Sequence, residues 1–391
     1  MPPLLIHASR ALTPREEIRD AAILIEDGRV AAIGPRDSLC VPAGAREIGA
    51  RGLTAVPGFI DVHIHGAGGH DVMEGSPLAL DAISRSVARC GTTSLVATTV
   101  TASPDATRGS VEGIASYIRE QQRKGSPDAP SAEILGIHLE GPFISRVRRG
   151  VHPPDWISAP SVPALQRYLD AAGGYARILT LAPEMDGALE LIDVARSAGL
   201  SVAVGHTDAT YEVTRLAVAR GAQHAVHTFN AMRPFSHRET GVIGAVLTSP
   251  EMTAEVIADG LHVDAAAIRL LLAAKGVERV LLVSDATAAT GMPDGTYTLG
   301  TFEVTVVGGV CRSREGKLAG STLTLDRALR HVVALGVPLS AALGMLTTNP
   351  ARLLGVAGRK GVLAPGADAD IVLLDDALQV RGVLARGAAG M

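Results

Sequence analysis

From Leu53 to about residue 295 the chain alternates between short apolar runs of strand character and longer runs of helical periodicity. No other feature constrains the fold as much. The eight strand-like runs are TAVPGFIDVHIH, TTSLVATTV, AEILGIHLE, ARILTLAPE, SVAVGH, HAVHTF, TAEVIAD and VLLVSDA. Helical stretches such as LALDAISRSVARC, DGALELIDVARSAG, DATYEVTRLAVARG and VDAAAIRLLLAAKG separate most of them. Parallel strands need crossovers of this length. Eight β/α units over about 240 residues is the size of a closed parallel barrel, so the expected class is α/β with a TIM-like (β/α)8 barrel. An open doubly wound sheet is the rival arrangement. Asp186 and Asp208 read as helix N-caps, and several of the helices run into a glycine.

The flanks read differently. Residues 1–54 hold strand-like segments, two of them separated by an Asp27-Gly28 turn. Beyond the barrel at 55–295, residues 296–391 begin with the strand-rich GTYTLGTFEVTVVGG, pass through helices at about 320–355 and return to strands in GVLAPGADADIVLLDDALQVRGVLARG. The two ends are expected to form one small discontinuous β-sandwich beside the barrel. Hydrophobic residues make up 47% and charged residues 19%, which supports a large core and excludes a disordered chain. The net charge is -4 and no Lys/Arg run is present, so nucleic acid is not an expected partner. Cys40, Cys90 and Cys311 are far apart, which argues against a disulfide framework and a thiolate metal site. No signal-peptide pattern opens the sequence, and no apolar stretch approaches the roughly 18 residues of a membrane span. The expectation is a cytoplasmic protein.

The chemistry sits where the strand runs end. His63 and His65 close the first, and their i, i+2 spacing puts both rings on one face. A pair of hydrogen-bonded core histidines would give the same pattern. Glu140 ends the third run just before Gly141-Pro142, and after so apolar a run it needs a cation or hydrogen bonds to stay ionised. His138 is on the same face but deeper, and is read as structural. His206 ends the fifth run, His227 lies in the sixth, and Asp285 ends the eighth. In parallel barrels functional residues sit at the C-terminal strand ends, facing one mouth. Together these residues point to a metal site. Imidazoles with a carboxylate and no thiolate suit Zn, Fe(II), Co or Mn better than Ca or Mg. Five ligands exceed the need of one catalytic ion, and Glu140 has two oxygens to bridge two. A binuclear site therefore stays open, with His63 and His65 on one ion and His206 and His227 on the other. Asp285 fits an acid/base role, a further metal ligand being the alternative.

The order PGFIDVHIHG, HLEGPF, VGHTDA, HTFNAM, ADGLHV, SDATAATG, KLAGST, TTNPARLLG and GVLAPGADADIVLLD resembles the N-acetylglucosamine-6-phosphate deacetylase family of the amidohydrolase superfamily. The resemblance implies a barrel flanked by a small β-sandwich, and hydrolysis of a 6-phosphorylated N-acetyl amino sugar to acetate and the amine. It implies Glu140, His206 and His227 as ligands of a main metal, His63 and His65 as those of a second, and Asp285 as the catalytic aspartate. For substrate it points to Val151, His152, Asn230, Ala231, Arg238, His262, Leu318, Ala319 and Gly320. Arg238 and His262 are the implied phosphate contacts, shared across a homodimer. One or two divalent ions per subunit, Zn or Fe, are expected. N-acetylgalactosamine-6-phosphate deacetylase, another amidohydrolase of N-acyl or cyclic amides, and an inactive barrel are the rival readings.

Overall fold

The computed structural model describes residues 3–390. The eight barrel strands are β1 (Phe59–Ile64), β2 (Thr92–Thr99), β3 (Glu133–Glu140), β4 (Ala176–Leu181), β5 (Ser201–Val204), β6 (Ala222–Ala225), β7 (Thr253–Ile257) and β8 (Val280–Val283). All seven consecutive pairs are parallel. Closure is made past the end of β8. Asp285 N–H donates to the His63 carbonyl at 2.9 Å, and His65 N–H to the Ala286 carbonyl at 2.9 Å. These bonds bring β8 beside β1, so the rival open sheet is not what forms. Most strand residues are buried, as strands covered on both faces must be.

The helices between strands start at residues that satisfy their free N–H groups. Ser76, Ser103, Ser161, Thr210 and Asp264 each accept from a first-turn N–H. The two caps expected at Asp186 and Asp208 are not formed. The helix after β4 starts at Ala188 behind Gly187 with no side-chain cap. Thr210 caps the helix after β5, which leaves Asp208 to pair with Arg148 at 2.7 Å and Arg233 at 3.0 Å.

The two ends of the chain meet in one seven-stranded sheet. Its order is Ala388–Gly390, Val380–Ala385, Ile371–Leu374, Arg46–Pro57, Leu4–Leu12, Glu17–Glu26 and Arg29–Pro35. The Asp27-Gly28 turn has φ of 48° and 75°, the left-handed pair that a two-residue hairpin requires. The run read as TAVPGFIDVHIH is split at Gly58, with its first part in this sheet and its second in β1. The strands within 295–313 stand apart. Gly295–Leu299, Phe302–Val307 and Val310–Ser313 form a separate three-stranded meander. Its inner residues Leu299, Val304, Val306 and Cys311 pack with Val100, just past β2, and with Val151. The alternation in this run comes from covering the barrel mouth and not from joining the terminal sheet.

A buried charge cluster ties the terminal sheet to the barrel. Lys360, 1% exposed, holds Glu133 at 2.6 Å, Asp370 at 2.7 Å and Asp368 at 3.0 Å. Burial pushes the Glu133 carboxyl up, but Lys360 and Arg359 outweigh it and hold the group below its usual range. Removing one partner of a buried pair strands the others, at a cost of about 3–5 kcal/mol. Lys360→Met is therefore expected to lose about that much stability in urea unfolding at neutral pH. A depressed carboxyl stabilises above its unfolded value of 4.5 and loses that contribution as pH falls. The deficit of the variant should thus narrow below that pH, and a pH-independent deficit would contradict the assignment.

Candidate active site

Each strand-end residue singled out in the sequence reaches the same mouth. His63 and His65 come from the end of β1, Glu140 is the last residue of β3, and His206, His227 and Asp285 follow β5, β6 and β8. All are buried. Glu140 is the hub. Its Oε1 lies 3.3 Å from His63 Nε2, 3.2 Å from His206 Nε2 and 3.0 Å from His227 Nε2. Its Oε2 lies 3.4 Å from both His65 Nε2 and His152 Nε2. Asp285 Oδ1 is 3.1 Å from His65 Nε2 and 3.7 Å from His63 Nε2.

The outward nitrogens fix which ring atoms face inward. His65 Nδ1 has the Thr98 carbonyl at 3.1 Å, and His206 Nδ1 the Arg148 carbonyl at 3.1 Å. Carbonyls only accept, so both Nδ1 atoms carry hydrogens. His63 Nδ1 donates to Glu255 at 2.8 Å. In the neutral form of these rings, the form that binds a metal, Nε2 is the lone pair aimed at Glu140 or Asp285. Lone pairs facing carboxylate oxygens repel unless a proton or a metal ion lies between them. Against burial, the neighbouring carboxylates raise the pKa of His63 and His65, so positive charge is favoured there. His63 Nε2 is in fact a buried nitrogen without a hydrogen-bond partner. The donor set therefore fits a divalent ion, and partners behind the ligands are characteristic of such centres.

His152 points the other way. Its Nδ1 accepts from the Thr101 N–H at 3.2 Å, with Thr101 Oγ1 at 2.8 Å, so its hydrogen is on Nε2 and faces the site. Burial, with His206 beside it, lowers its pKa to about 4, which keeps the ring a neutral donor. His138 is lowered to about 3 by burial and by His63, and its Nε2 lies 2.7 Å from Thr180 Oγ1. It is a structural residue. Burial pushes Asp285 up, but His65, His63 and His227 outweigh that and hold it below the usual carboxylate range. It is ionised at neutral pH.

Around this cluster is a cavity of about 170 Å³, lined among others by Val151, His152, Asn230, Ala231, His262, Leu318 and Gly320. Asp259 holds the His262 ring by a 2.7 Å contact and, against burial, raises its pKa. Gly320 has φ 58°, and a Cβ there would meet the Asp285 carbonyl at 2.9 Å, so the Leu318-Ala319-Gly320 turn packs directly on the strand end carrying Asp285. Ala319 is buried behind the lining. Arg238 is not brought to the cavity. It is exposed and does not line the cavity, and no ion pair holds it among the described residues.

Two features were missed in the sequence. Glu255 stands behind two of the histidines, a position that no motif marks. His206, His227 and Asp285 have φ of 46°, 27° and 50°, a strained region for side-chain-bearing residues. The signal available for the second was only that polar residues followed the strands at once.

The family model described as "Amidohydrolase family" matches residues 54–389. N-acetylgalactosamine-6-phosphate deacetylase of Escherichia coli O157:H7 is 39% identical over 384 residues, covering 98% of each chain. N-acetylglucosamine-6-phosphate deacetylase of Bacillus subtilis is 36% identical over 389 residues, covering 98% of this chain and 96% of its own. Among solved structures, N-acetyl-D-glucosamine-6-phosphate deacetylase of Mycobacterium smegmatis in complex with N-acetyl-D-glucosamine-6-phosphate is 40% identical. It superimposes with a TM-score of 0.90, covering 100% of this chain and 99% of that one.

A cation that offsets the facing lone pairs must stabilise the fold by mass action, by about 4 kcal/mol at a thousand-fold excess over its dissociation constant. Zn2+ added to chelator-stripped protein should raise the melting temperature. In Glu140→Ala the rise should vanish. An equal rise in that variant would remove Glu140 from the centre.

Proposed function

The chain belongs to the amidohydrolase family, and we propose that it is a deacetylase cleaving N-acetyl-D-glucosamine 6-phosphate to D-glucosamine 6-phosphate and acetate. The observation that carries this reading is an ionised Asp285 beside a cluster of imidazoles and Glu140, in a cavity lined by the residues expected to meet such a sugar. Glu140, His206 and His227 would hold one divalent ion, and His63 and His65 a second, with Zn or Fe the metals that suit these donors. The ion, when bound, supplies Lewis-acid polarisation and lowers the pKa of water coordinated to it.

The chain's own groups do the rest. Asp285 takes a proton from the attacking water and returns it to the departing amine, which leaves poorly as an anion. His152 donates its Nε2–H to the carbonyl oxygen as negative charge develops there. Being neutral, it does so without losing a proton. Val151, Asn230, Ala231 and the Leu318–Gly320 turn shape the sugar pocket. His262 provides one phosphate contact. Arg238 is exposed and does not line its own cavity, which supports a reading in which it reaches the phosphate in the cavity of a second copy, the working assembly then being a homodimer. The three cysteines are unpaired, in keeping with a reducing cytoplasmic setting.

The E. coli relative named for the galacto sugar is as similar as those named for the gluco sugar, so both belong in the test. Acetate release should be measured on 6-phosphorylated and unphosphorylated N-acetylhexosamines with metal content counted. Release is expected from the phosphorylated gluco sugar foremost, and no release from any phosphorylated sugar would sink the assignment. Asp285→Asn should lower kcat by about 10²–10⁴ while retaining metal. Loss of metal together with activity would make Asp285 a ligand instead.

A further inference from the structure

Behind the histidines of the centre lies a carboxylate that the proposed mechanism does not use. Glu255 is in the middle of β7 and is fully buried. A carboxylate inside an apolar strand is costly unless its lone pairs are filled. Here they are filled by parts of the centre. Oε2 accepts from the His63 ring Nδ1–H at 2.8 Å and from the His227 backbone N–H at 3.1 Å. Oε1 faces His224 Nε2 at 2.8 Å, whose Nδ1 lies 2.7 Å from Thr253 Oγ1 on the far side. The Glu255 carbonyl accepts from the next N–H, that of Thr228, at 2.9 Å.

We propose that Glu255 is the positioning residue of the metal centre, one carboxylate oxygen setting the ring of His63 and the backbone of His227 together. Through Nδ1 it fixes the tautomer of His63, leaving the Nε2 lone pair for an ion. Through the backbone it holds His227 at φ 27°, a conformation the chain would otherwise leave. The two histidines belong to different halves of a two-ion centre, so Glu255 links the geometry of both. His224 fills the other oxygen and keeps the carboxylate from turning.

The inference rests on the metal reading above, and its test uses no substrate. Apo-protein and its Glu255→Gln variant are titrated with Zn2+ by equilibrium dialysis, and the visible absorption of the Co2+ forms is recorded. The amide matches the carboxylate in shape but carries no charge, so even with its NH2 turned to His224 it offers the His63 Nδ1–H and the His227 N–H a weaker acceptor. Zn2+ affinity is expected to fall about 10–100-fold, as for other residues behind metal-bound histidines, with an altered Co2+ spectrum. His224→Gln, which keeps both contacts to the centre, should bind Zn2+ with less than a tenfold loss. Wild-type affinity and spectrum in Glu255→Gln would overturn the proposal. So would an equal loss in His224→Gln, since the role would then be that of a structural pair. Should Glu255→Gln not fold, Glu255→Asp decides: its shorter carboxylate must weaken Zn2+ binding, and unchanged binding overturns the proposal. Absence of acetate release with these metal effects intact would instead count against the deacetylase reading.

Discussion

The structure is organised around one buried carboxylate whose charged and polar side-chain neighbours are imidazoles. Glu140 is 2% exposed and has five imidazole Nε2 atoms within 3.4 Å. For His63, His65 and His206, groups behind the rings fix the hydrogen on Nδ1. In the neutral rings the inward nitrogens are then acceptors facing an acceptor, and a proton or a metal ion has to lie between them. Desolvating such a set costs several kcal/mol per charged group unless a cation enters it. Nothing in the hydrophobic core requires this arrangement. The barrel supplies its geometry, since closure of β8 onto β1 is what brings residues 63, 140, 206, 227 and 285 within reach of one another.

The same closure explains the strain. His206, His227 and Asp285 each lie two residues beyond their strand and adopt left-handed backbone. Such conformations cost on the order of 1–3 kcal/mol each and persist only when surroundings over-determine them. The surroundings are visible. Glu184 accepts from the Asp208 N–H at 2.6 Å just after His206, Glu255 accepts from the His227 N–H, and Asp285 N–H is consumed in the closing bond to β1. Turning the chain sharply at the strand end directs the side chain into the mouth while the backbone leaves for its loop.

Strand ends are where the sequence was most legible. An apolar run that stops at a histidine or a carboxylate identifies both the barrel and its mouth, because burial sets the run and chemistry sets its end. Residues acting from inside a strand left no such mark. Glu255 in TAEVIAD reads as an ordinary polar alternation, and only three-dimensional pairing with His63 and His227 gives it meaning. Local competition defeated the cap assignments: Asp208 had a suitable position, but two arginines from distant loops claim it and Thr210 takes the helix. The meander at 295–313 has the alternation of any half-buried sheet, and nothing local says which core its apolar face will cover. Arg238 was named through resemblance alone, and among the described residues its side chain forms no ion pair and does not line the cavity.

Strand β3 shows how one scaffold separates stability from reactivity. It begins at Glu133 and ends at Glu140, about 23 Å apart at the rise of an extended strand. Both carboxylates are largely buried, yet their surroundings differ in kind. At the start, Lys360 and Arg359 bring fixed positive charge to Glu133, Asp368 and Asp370, so the cluster is satisfied within the chain. At the end, Glu140 meets only imidazoles, whose charge depends on what they bind. Lysine and arginine stay protonated across the working pH range, whereas imidazole exchanges a proton for a metal without rearranging. The fixed cations therefore lock the terminal sheet onto the barrel floor. The conditional ones leave the mouth with a charge deficit, and that deficit is what fits it to hold an ion.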